Sequence, residues 1–398
     1  PETRGHRFLS PGPHKFNSAK EYFTNLENAY VVIDPHERRE IILAQSKEAA
    51  QALKGKPVIE KDLLTEVTYL VEFPKAVAGS FAKSHLNLPR EVLVTTMQNH
   101  QRYFPVEDEE GQLLPYFITI ANGTKDFVDN VRAGNEKVLR ARLADADFFY
   151  KEDLKSPLKD KAEKLKDIVY QEELGSVYDK ALRLKDLTEI LCASLKLLDV
   201  EKEVALRAAL LSKADLVTNM VNEFPELQGI MGREYALKSG EDKEVAQAIY
   251  EHYLPRFAGD AGPQTKAGAV VALVDKLDNI VASFSLGKEP SGSQDPYALR
   301  RQALGIIAIL RSSEIALDLE KFITQIYDRL SQDSKVELQE KELTVTKVWD
   351  FILQRARFVL LEEGLRYDVI DALFSLPVRD INLLVTRVIE LQKVVEEG

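Results

Sequence analysis

From about Ser156 to its last residues, the chain places apolar side chains at helical spacing. The clearest stripe recurs every three or four residues, at Val177, Ala181, Leu184, Leu187, Leu191, Leu195 and Leu198. This period is typical of amphipathic helices that share a core. With 398 residues, the chain is long enough for two or three domains with proper cores. The sequence therefore predicts that its longer, carboxyl-terminal part is built from helices.

The first 155 residues follow a different pattern, in which short β-rich runs alternate with helical ones. The runs that predict strands are 30–34, 40–44, 68–73, 92–97 and 116–121. Helices are predicted at 18–30 and 46–53, and a long helix is predicted to end at Tyr150. We therefore predict an α+β multidomain protein, with a mixed α/β amino-terminal block ahead of the helical part.

Two local sequence signals set the predicted domain boundaries. Ser156-Pro157 has the order of a helix N-cap followed by proline, and the composition of Glu289–Gln294 is that of a linker. The predicted domains are 1–155, 156–290 and 291–398. Asp295 and Pro296 should cap and start the first helix of the last domain. The predicted helices are 204–222, 241–254, 270–284, 295–310, 317–331, 343–363, 367–375 and 379–396.

The composition is that of a globular protein and excludes several classes of function. A net charge of −11 disfavours a broad basic surface for nucleic acid but allows local basic patches. Cys192 is the only cysteine, which excludes an internal disulfide and a cysteine-based zinc site and suits a reducing cytosol. No apolar run approaches the roughly 18 residues of a membrane span. The first residues resemble neither a signal peptide nor an initiation site, so we expect a piece of a longer protein.

The stretch Arg207–Gly232 combines an apolar helix with a glycine-marked turn. Val204, Ala208 and Leu211 form one helical stripe. Asp215 is the next member of that stripe, and a carboxylate on an apolar face is costly to bury unless it is paired or hydrogen-bonded. We therefore expect Asp215 either to brace neighbouring backbone or to belong to a site.

The helical block that contains Asp215 and, on a later helix, Asp278 resembles the HD superfamily of metal phosphohydrolases. Those enzymes bind metal through a histidine, a histidine–aspartate pair and a later aspartate. Here Ala214 stands in place of the paired histidine, and no histidine occurs between His100 and His252. We expect a degenerate HD site that binds no metal, since fold and function separate readily.

Familiar motifs for nucleotide binding and nucleophilic catalysis are missing from the sequence. There is no P-loop, no glycine-rich dinucleotide motif and no nucleophile elbow. The six histidines stand singly, none of them at the spacing of a metal-ligand pair. We therefore predict no catalytic residue in this chain and no cofactor bound by it.

A helical run near the end of the first block holds four cations. They are Arg132, Lys137, Arg140 and Arg142, with Asn135 among them. A solvated helix face is one explanation for such a run. In an acidic protein, cations beside an amide also suit contacts with a phosphate or an acidic partner.

Two shorter stretches are further candidates for RNA contacts. Arg300 and Arg301 lie near a predicted helix amino end, where the helix favours an anion such as RNA phosphate. His100 and Arg102 lie in Met97–Pro105, where amides and aromatic rings could bond and stack with bases. For this second stretch, a polar turn with its aromatic rings in the core is equally plausible.

Stretches along nearly the whole chain resemble the beta subunit of bacterial heterotetrameric glycyl-tRNA synthetase, and they occur in family order. These stretches are Arg4–Phe8, Val71–Pro74, Met97–Val106, Gly134–Tyr150, Gln171–Gly175, Ser212–Leu216, Glu226–Gly232, His252–Asp260, Asp275–Asp278 and Asp295–Arg301. The family's subunit is longer at both ends, so the resemblance implies a fragment.

The resemblance implies an ATP-dependent ligase that joins glycine to its tRNA, as a cytoplasmic α2β2 heterotetramer. Glycine activation, with its ATP and Mg²⁺, would reside on the separate alpha subunit. This chain would hold tRNA(Gly) and the alpha dimer, and would bind neither ATP nor metal itself.

The resemblance also gives each predicted domain a counterpart. Residues 1–155 resemble the editing module of the phenylalanyl-tRNA synthetase beta chain, and residues 156–290 resemble a degenerate HD domain. Residues 291–398 resemble an incomplete helical anticodon-binding domain, shared with arginyl-tRNA synthetase. The signature Asp295-Pro-Tyr-Ala-Leu-Arg-Arg301 carries Arg300 and Arg301 over as candidates for RNA contact.

Two other classes of function stay open on the sequence. A metal-dependent phosphohydrolase could use Asp215 and Asp278, because two carboxylates can hold a hard cation weakly. A scaffold subunit would bind protein alone. Metal content distinguishes the first from an RNA-binding subunit, and salt-dependent tRNA binding distinguishes the second.

Overall fold

The computed structural model describes residues 1–397. The chain forms two compact units, Pro1–Glu152 and a second one that begins at Asp153. Within residues 1–397, no helix combines the length and the apolar character that a membrane crossing requires.

The first unit contains a four-stranded antiparallel sheet and a separate two-stranded ribbon. Its strands are β1 Glu2–Arg4, β2 Pro13–Lys15, β3 Lys56–Pro57, β4 Pro74–Ser80, β5 Phe104–Glu107 and β6 Leu113–Asn122. The ribbon pairs β1 with β2, and the order of the sheet is β3-β5-β6-β4. The helices that begin in this unit are α1 Ala19–Asn28, α2 Pro35–Ala52, α3 Lys61–Leu70, α4 Arg90–Thr95 and α5 Val128–Asp153.

The core of the first unit lies between the sheet and the helices α2 and α3. Its buried side chains are Ile42 and Ala50 from α2, Leu63, Leu64 and Val67 from α3, the adjacent Val71, and Phe104, Val106 and Ile118 from the sheet. Phe104 and Val106 of β5 both belong to this buried cluster, although the strand register shifts between Pro105 and Glu107. Burial of each large apolar side chain contributes roughly 1.5–3 kcal/mol, so this layer fixes the helices on the sheet.

Four of the five strands predicted for the first block are wrong. The run 40–44 lies inside α2, 68–73 covers the end of α3, 92–97 is helical, and 30–34 contains no strand. The run 116–121 is confirmed within β6, and the helices predicted at 18–30 and up to Tyr150 are confirmed as α1 and α5. Helix α2 forms because Asp34 caps it and Pro35 starts it, which overrides the local preference for strand.

The second unit is helical apart from one small hairpin, β7 Val169–Gln171 with β8 Gly175–Ser176. Its helices are α6 Leu158–Lys164, α7 Val177–Ser194, α8 Asp199–Leu211, α9 Asn219–Glu223, α10 Ile230–Lys238, α11 Lys243–Glu251, α12 Lys266–Ser285, α13 Leu299–Ser312, α14 Leu319–Asp333, α15 Lys341–Glu362, α16 Tyr367–Phe374 and α17 Ile381–Glu397. The predicted α+β class is thus confirmed in outline. The HD-like and anticodon-binding-like domains, and a boundary near residue 290, stay predictions.

Helix α12 lies at the centre of the second unit. All of its residues except Lys266 and Asn279 are buried. It packs against α7, α8 and α11 and also against α13, α14 and α15. A helix that is apolar on most of its circumference is expected to be buried in this way. The charged residues of α12 are consequently forced to find partners inside the protein.

The predicted helix 204–222 is shorter than expected, because α8 ends at Leu211. Asp215 lies in a short 3-10 turn, Ala214–Val217, and not inside a helix. The next helix, α9, is started by Thr218, whose hydroxyl accepts a hydrogen bond from the backbone N–H of Val221 at 3.2 Å. Thr218 is a good N-cap, so the chain turns and starts again where the pattern alone suggested continuity.

Candidate nucleic-acid interface

The helix that carries Arg300 and Arg301 begins three residues later than Pro296 suggested. Ala298 has a left-handed backbone, with φ of 52°, and α13 begins after it at Leu299. The side chain of Asp295 nevertheless accepts hydrogen bonds from the backbone N–H groups of Leu299 and Arg300, at 2.8 and 3.0 Å. The predicted cap is therefore real, but it occupies the donors that a phosphate would otherwise use.

Arg300 and Arg301 differ in how free they are. The Arg300 guanidinium donates to the carbonyl of Gly292 at 2.9 Å and lies 4.0 Å from the carboxylate of Asp295. Arg301 is exposed and makes no hydrogen bond or ion pair with any of residues 1–397. Of the two, Arg301 is the cation available to an external anion.

The four cations of α5 also divide into two kinds. Arg132 donates to the carbonyl of Ala78 at 2.9 Å and pairs with Asp129 at 2.8 Å, and Arg142 is half-buried with contacts of its own. Lys137 and Arg140 are exposed and have no partner within the described chain. They are three residues apart, so they lie on one side of the helix.

The side chain of Asn135 bonds inside the first unit and does not belong to the exposed face of Lys137 and Arg140. Its side-chain oxygen accepts a hydrogen bond from the hydroxyl of Tyr103 at 2.5 Å, and its amide donates to the carbonyl of Val131 at 2.7 Å. Burial raises the pKa of Tyr103 to about 12, so the hydroxyl stays a donor at neutral pH. The expectation that Asn135 contacts a phosphate therefore loses its structural support.

The stretch around His100 and Arg102 is a polar turn over a packed core. Arg102 has a left-handed backbone, pairs with Glu66 at 2.9 Å and donates to the carbonyl of Asn99 at 3.1 Å. His100 is half-buried and has contacts of its own. The ring of Tyr103 is buried and stacks on Phe117 with centroids 4.5 Å apart, so it cannot stack on a base.

Asp278 belongs to a buried network of ion pairs in the second unit. Its two oxygens accept from Arg183 at 2.6 Å and from Lys180 at 2.8 Å, and both cations come from α7. Burial alone would raise the pKa of Asp278, but Arg183 and Lys180 outweigh it and hold the pKa below its ordinary value. The carboxylate is thus neutralised by fixed protein cations.

Asp275, one turn earlier on α12, pairs with a second lysine. Lys213 donates to Asp275 at 2.8 Å and lies 2.9 Å from Nε2 of His252. Nδ1 of His252 is 2.5 Å from the carbonyl of Ile249, so the ring carries its proton on Nδ1 and accepts from Lys213 on Nε2. Burial holds the pKa of His252 well below its ordinary value, which keeps the ring neutral.

Asp215 braces the glycine-marked turn, one of the two roles that the sequence left open. One carboxylate oxygen accepts from the backbone N–H groups of Gly229 and Gly232, at 2.6 and 3.1 Å, while the other oxygen has no hydrogen bond. Burial raises its pKa to about 6, partly offset by the bond from Gly229. A Cβ at Gly232 would lie 2.8 Å from Cγ2 of Ile249 and 3.0 Å from the bonded oxygen of Asp215, so a side chain here would force both to shift.

The carboxylates of Asp215 and Asp278 already bond to other groups of the protein. Asp278 is occupied by cations and Asp215 by backbone, and no group of three or more His, Cys, Asp or Glu side chains within residues 1–397 is arranged to hold a metal ion. The predicted absence of a metal at the degenerate HD site stays a prediction. The geometry offers positive charge at the place where a metal hydrolase would need free carboxylates.

A family model described as glycyl-tRNA synthetase beta subunit matches residues 1–375. The chain belongs to the glycyl-tRNA synthetase beta subunit family. It is 49% identical over 395 residues to a glycine–tRNA ligase beta subunit from Clostridioides difficile (strain 630), and the match covers 99% of this chain and 56% of the relative. A second such subunit, from Desulforamulus reducens, is 49% identical over 385 residues, covering 97% of this chain and 55% of the relative.

A third relative in the family, from Halothermothrix orenii, is 48% identical over 385 residues, covering 97% of this chain and 55% of the relative. The chain thus spans about half the length of the curated beta subunits it matches. The family resemblance predicted from the sequence is confirmed. The family match assigns no role to single residues, so RNA contact stays a prediction for Arg300, Arg301, Arg132, Lys137, Arg140, Arg142, His100 and Arg102.

Sequence reasoning missed the buried cations of this beta-subunit chain. Lys180, Arg183, Lys213 and Lys276 are all buried. Lys180 lies four residues before Leu184, on the apolar stripe of α7. A charged residue on such a stripe carries the same signal that singled out Asp215, and it was available from the sequence.

Proposed function

We propose that this chain is the tRNA-binding part of a glycine–tRNA ligase, which supports the ATP-dependent attachment of glycine to tRNA(Gly). The observation that carries this proposal is the family match over residues 1–375. Glycine activation, with its ATP and Mg²⁺, would belong to a separate alpha subunit, and the two subunits would form an α2β2 heterotetramer. A single, buried cysteine suits the reducing cytoplasm in which such a ligase would work.

The exposed cations suggest how the chain would hold RNA. Arg301 on α13 and Lys137 and Arg140 on α5 extend into solvent without internal partners. Such side chains can neutralise RNA phosphates, which positions an RNA without reading its sequence. Arg132 and Arg102 mainly hold the fold, because their guanidinium groups already bond to backbone carbonyls and carboxylates.

The double variant Arg300→Ala/Arg301→Ala is expected to weaken tRNA(Gly) binding. If both arginines contact phosphates, the slope of log K against log salt should flatten by about 1.4, the single-strand value for two charges. If Arg301 alone contacts phosphate, as its freedom suggests, the slope should flatten by about 0.7. Filter binding at several salt concentrations, with the alpha subunit present, measures both quantities.

The matched control is Arg387→Ala, which removes an equally exposed and unpaired arginine from α17. Its slope of log K against log salt should be closer to that of the parent chain than the slope of the double variant is. If either arginine reads a base, affinity should fall more for tRNA(Gly) than for an unrelated tRNA. An unchanged affinity and slope in the folded double variant would reject this interface.

The isolated chain is expected to support no glycine-dependent ATP–pyrophosphate exchange. The reason is that the sequence contains no phosphate-cradling loop for adenylate formation. Exchange should appear only when the alpha subunit is added. Sustained exchange by a preparation shown to be free of the alpha subunit would refute this division of labour.

The structure gives less support to the two rival functions. A metal-dependent hydrolase at Asp215 and Asp278 would have to displace Arg183 and Lys180 from Asp278. A scaffold that binds protein alone predicts tRNA binding without salt dependence, or none, so the titration above also tests it.

A further inference from the structure

Lys276, on α12, is a buried cation without a carboxylate partner. Only 5% of the residue is exposed. The nearest acceptors of its Nζ are two backbone carbonyls, of Tyr253 at 3.3 Å and of His252 at 3.5 Å. Nowhere in residues 1–397 does an Asp or Glu oxygen lie within ion-pair distance of this ammonium. A buried charge with such weak partners destabilises the fold unless an anion from outside completes it.

The neighbouring helix makes room for this lysine. Gly305 on α13 faces its side chain, and a Cβ at that position would come within 2.9 Å of Cε of Lys276. The absence of a side chain at Gly305 therefore lets the lysine stem pass between α12 and α13. Burial lowers the pKa of Lys276 to about 8, so the side chain still carries its charge at pH 7.

Lys276 lines a cleft of about 370 Å³ in the second unit, here called the Lys276 cleft. Its charged lining residues are Lys213, Arg256, Asp275, Lys276 and Arg301. Lys213 is paired with Asp275, and Arg256 is paired with Asp260 at 3.1 Å. Lys276 and Arg301 are left as two uncompensated cations around one cavity. The cleft is therefore suited to an anion.

The rest of the lining favours a nucleotide over a simple anion. Tyr297, 45% exposed, and the amide of Gln228 also line the Lys276 cleft. Gln302 lines it as well, but its amide accepts from Asn279 at 2.8 Å and donates to the carbonyl of Tyr297 at 3.0 Å, which holds that part of the wall in place.

A second cavity of about 320 Å³ shares Arg301 with the Lys276 cleft and is lined mostly by apolar residues that include Phe257, together with Asp260, the partner of Arg256. Aromatic rings and amides can stack on a base and bond its edges. The volume of the Lys276 cleft also lies in the range of about 300–1,000 Å³ that is typical of small-molecule sites.

We propose that the Lys276 cleft binds a nucleotide, with its phosphate held by Lys276 and Arg301 and its base beside Tyr297. The phosphate comes either from a free mononucleotide or from a nucleotide of an RNA chain. With a free mononucleotide, this site goes beyond the proposed function; with an RNA nucleotide, it deepens that function and rests on it, because Arg301 is already proposed to contact RNA phosphate. It is a binding site only, since the one carboxylate that lines it, Asp275, is already paired with Lys213.

The test is calorimetric titration of the whole chain with AMP, with adenosine as the probe that lacks phosphate. AMP should bind at least about tenfold more tightly than adenosine, as expected for charge-assisted bonds to one phosphate. Lys276→Met should lower the affinity for AMP by at least about tenfold. It should also raise the midpoint of thermal unfolding without ligand, because it removes an unpaired buried charge. A purely structural lysine would lower that midpoint.

Two further variants guard against a folding artefact. Arg301→Ala changes an exposed side chain. It should lower the affinity for AMP and leave the midpoint of thermal unfolding unchanged. Lys243→Met, at an exposed and unpaired position on α11, should change neither quantity.

A short single-stranded RNA distinguishes the two sources of phosphate. Binding of the RNA but not of AMP, lost in Lys276→Met, assigns the site to RNA, and tight binding of AMP assigns it to free nucleotide. Equal affinity for AMP and adenosine, or affinity for both AMP and RNA that is unchanged in folded Lys276→Met, would overturn the proposal. Failure of the chain to bind tRNA(Gly) would instead count against the proposed function, so the two failures are distinguishable.

Discussion

Replacing Asp278 by alanine is expected to lower the free energy of unfolding of the second unit by about 3–5 kcal/mol. The variant removes the buried carboxylate that Arg183 and Lys180 share. Arg183 then keeps only its ion pair with Asp333 at 3.2 Å, and Lys180 keeps only its ion pair with Asp275 at 3.0 Å. With one carboxylate fewer, the network holds an excess positive charge in a low-dielectric interior, where the cations repel each other. Urea denaturation of the parent chain and the variant at pH 7 measures the difference.

The matched control is Asp371→Ala, which removes the exposed partner of Arg357 from the same unit. Exposed ion pairs contribute at most about 1 kcal/mol, so this variant should change stability little. If Asp278→Ala does not fold at all, Asp278→Asn should fold with an intermediate loss, because it keeps an acceptor for Arg183. A loss no larger than that of the control would contradict the idea that this network holds the unit together.

Asp215 should make the stability of the second unit fall as the pH rises from about 4 to about 7. Its pKa is raised from 3.8 to about 6, because burial disfavours the charged carboxylate. Between those values the folded chain keeps a proton that the unfolded chain has released, so folding is favoured at low pH and loses stability through this window. At 1.36 kcal/mol per pKa unit, the full effect is about 3 kcal/mol.

Asp215→Asn isolates this effect, because an asparagine cannot ionise. The stability of the variant relative to the parent chain should therefore increase by about 3 kcal/mol between pH 4 and pH 7. Asp275 and Asp278 have lowered pKa values and the opposite pH dependence, but they are present in both proteins and cancel in the comparison. Urea denaturation at the two pH values gives the result. Parallel pH profiles would show that Asp215 does not titrate in this range.

Sequence periodicity was sufficient for most of the helices. The predicted helices 317–331, 343–363 and 379–396 correspond to α14, α15 and α17, with ends shifted by about two residues. Long stripes of this kind repeat over four or more turns, so one ambiguous residue does not change the period. The family resemblance was also sufficient to place the chain in its family.

Sequence periodicity could not assign the short runs of the first block to helix or strand. The run 40–44 contains Glu40, Ile41, Ile42, Leu43 and Ala44, and over five residues such a sequence fits a strand and a helix equally well. What decided the matter was the cap at Asp34, six residues earlier. The one correct strand, 116–121, has a partner along its whole length in β4.

The partners of the candidate site residues could not be predicted, because they come from distant parts of the chain. Asp278 and Arg183 are 95 residues apart in sequence, and Lys213 and Asp275 are 62 residues apart. Arg300 illustrates the same limit at short range. Its bond to the carbonyl of Gly292 reaches back past Ala298, whose left-handed backbone no pattern of apolar residues indicates.

The central position of α12 has a consequence for how the second unit opens. Its backbone is enclosed by six other helices from both earlier and later parts of the chain. Local fraying at the surface therefore cannot expose its amide hydrogens, which can exchange with solvent only when the surrounding helices separate together. The slowest-exchanging amides of the unit should lie in α12, and their exchange rate reports the free energy of its global unfolding.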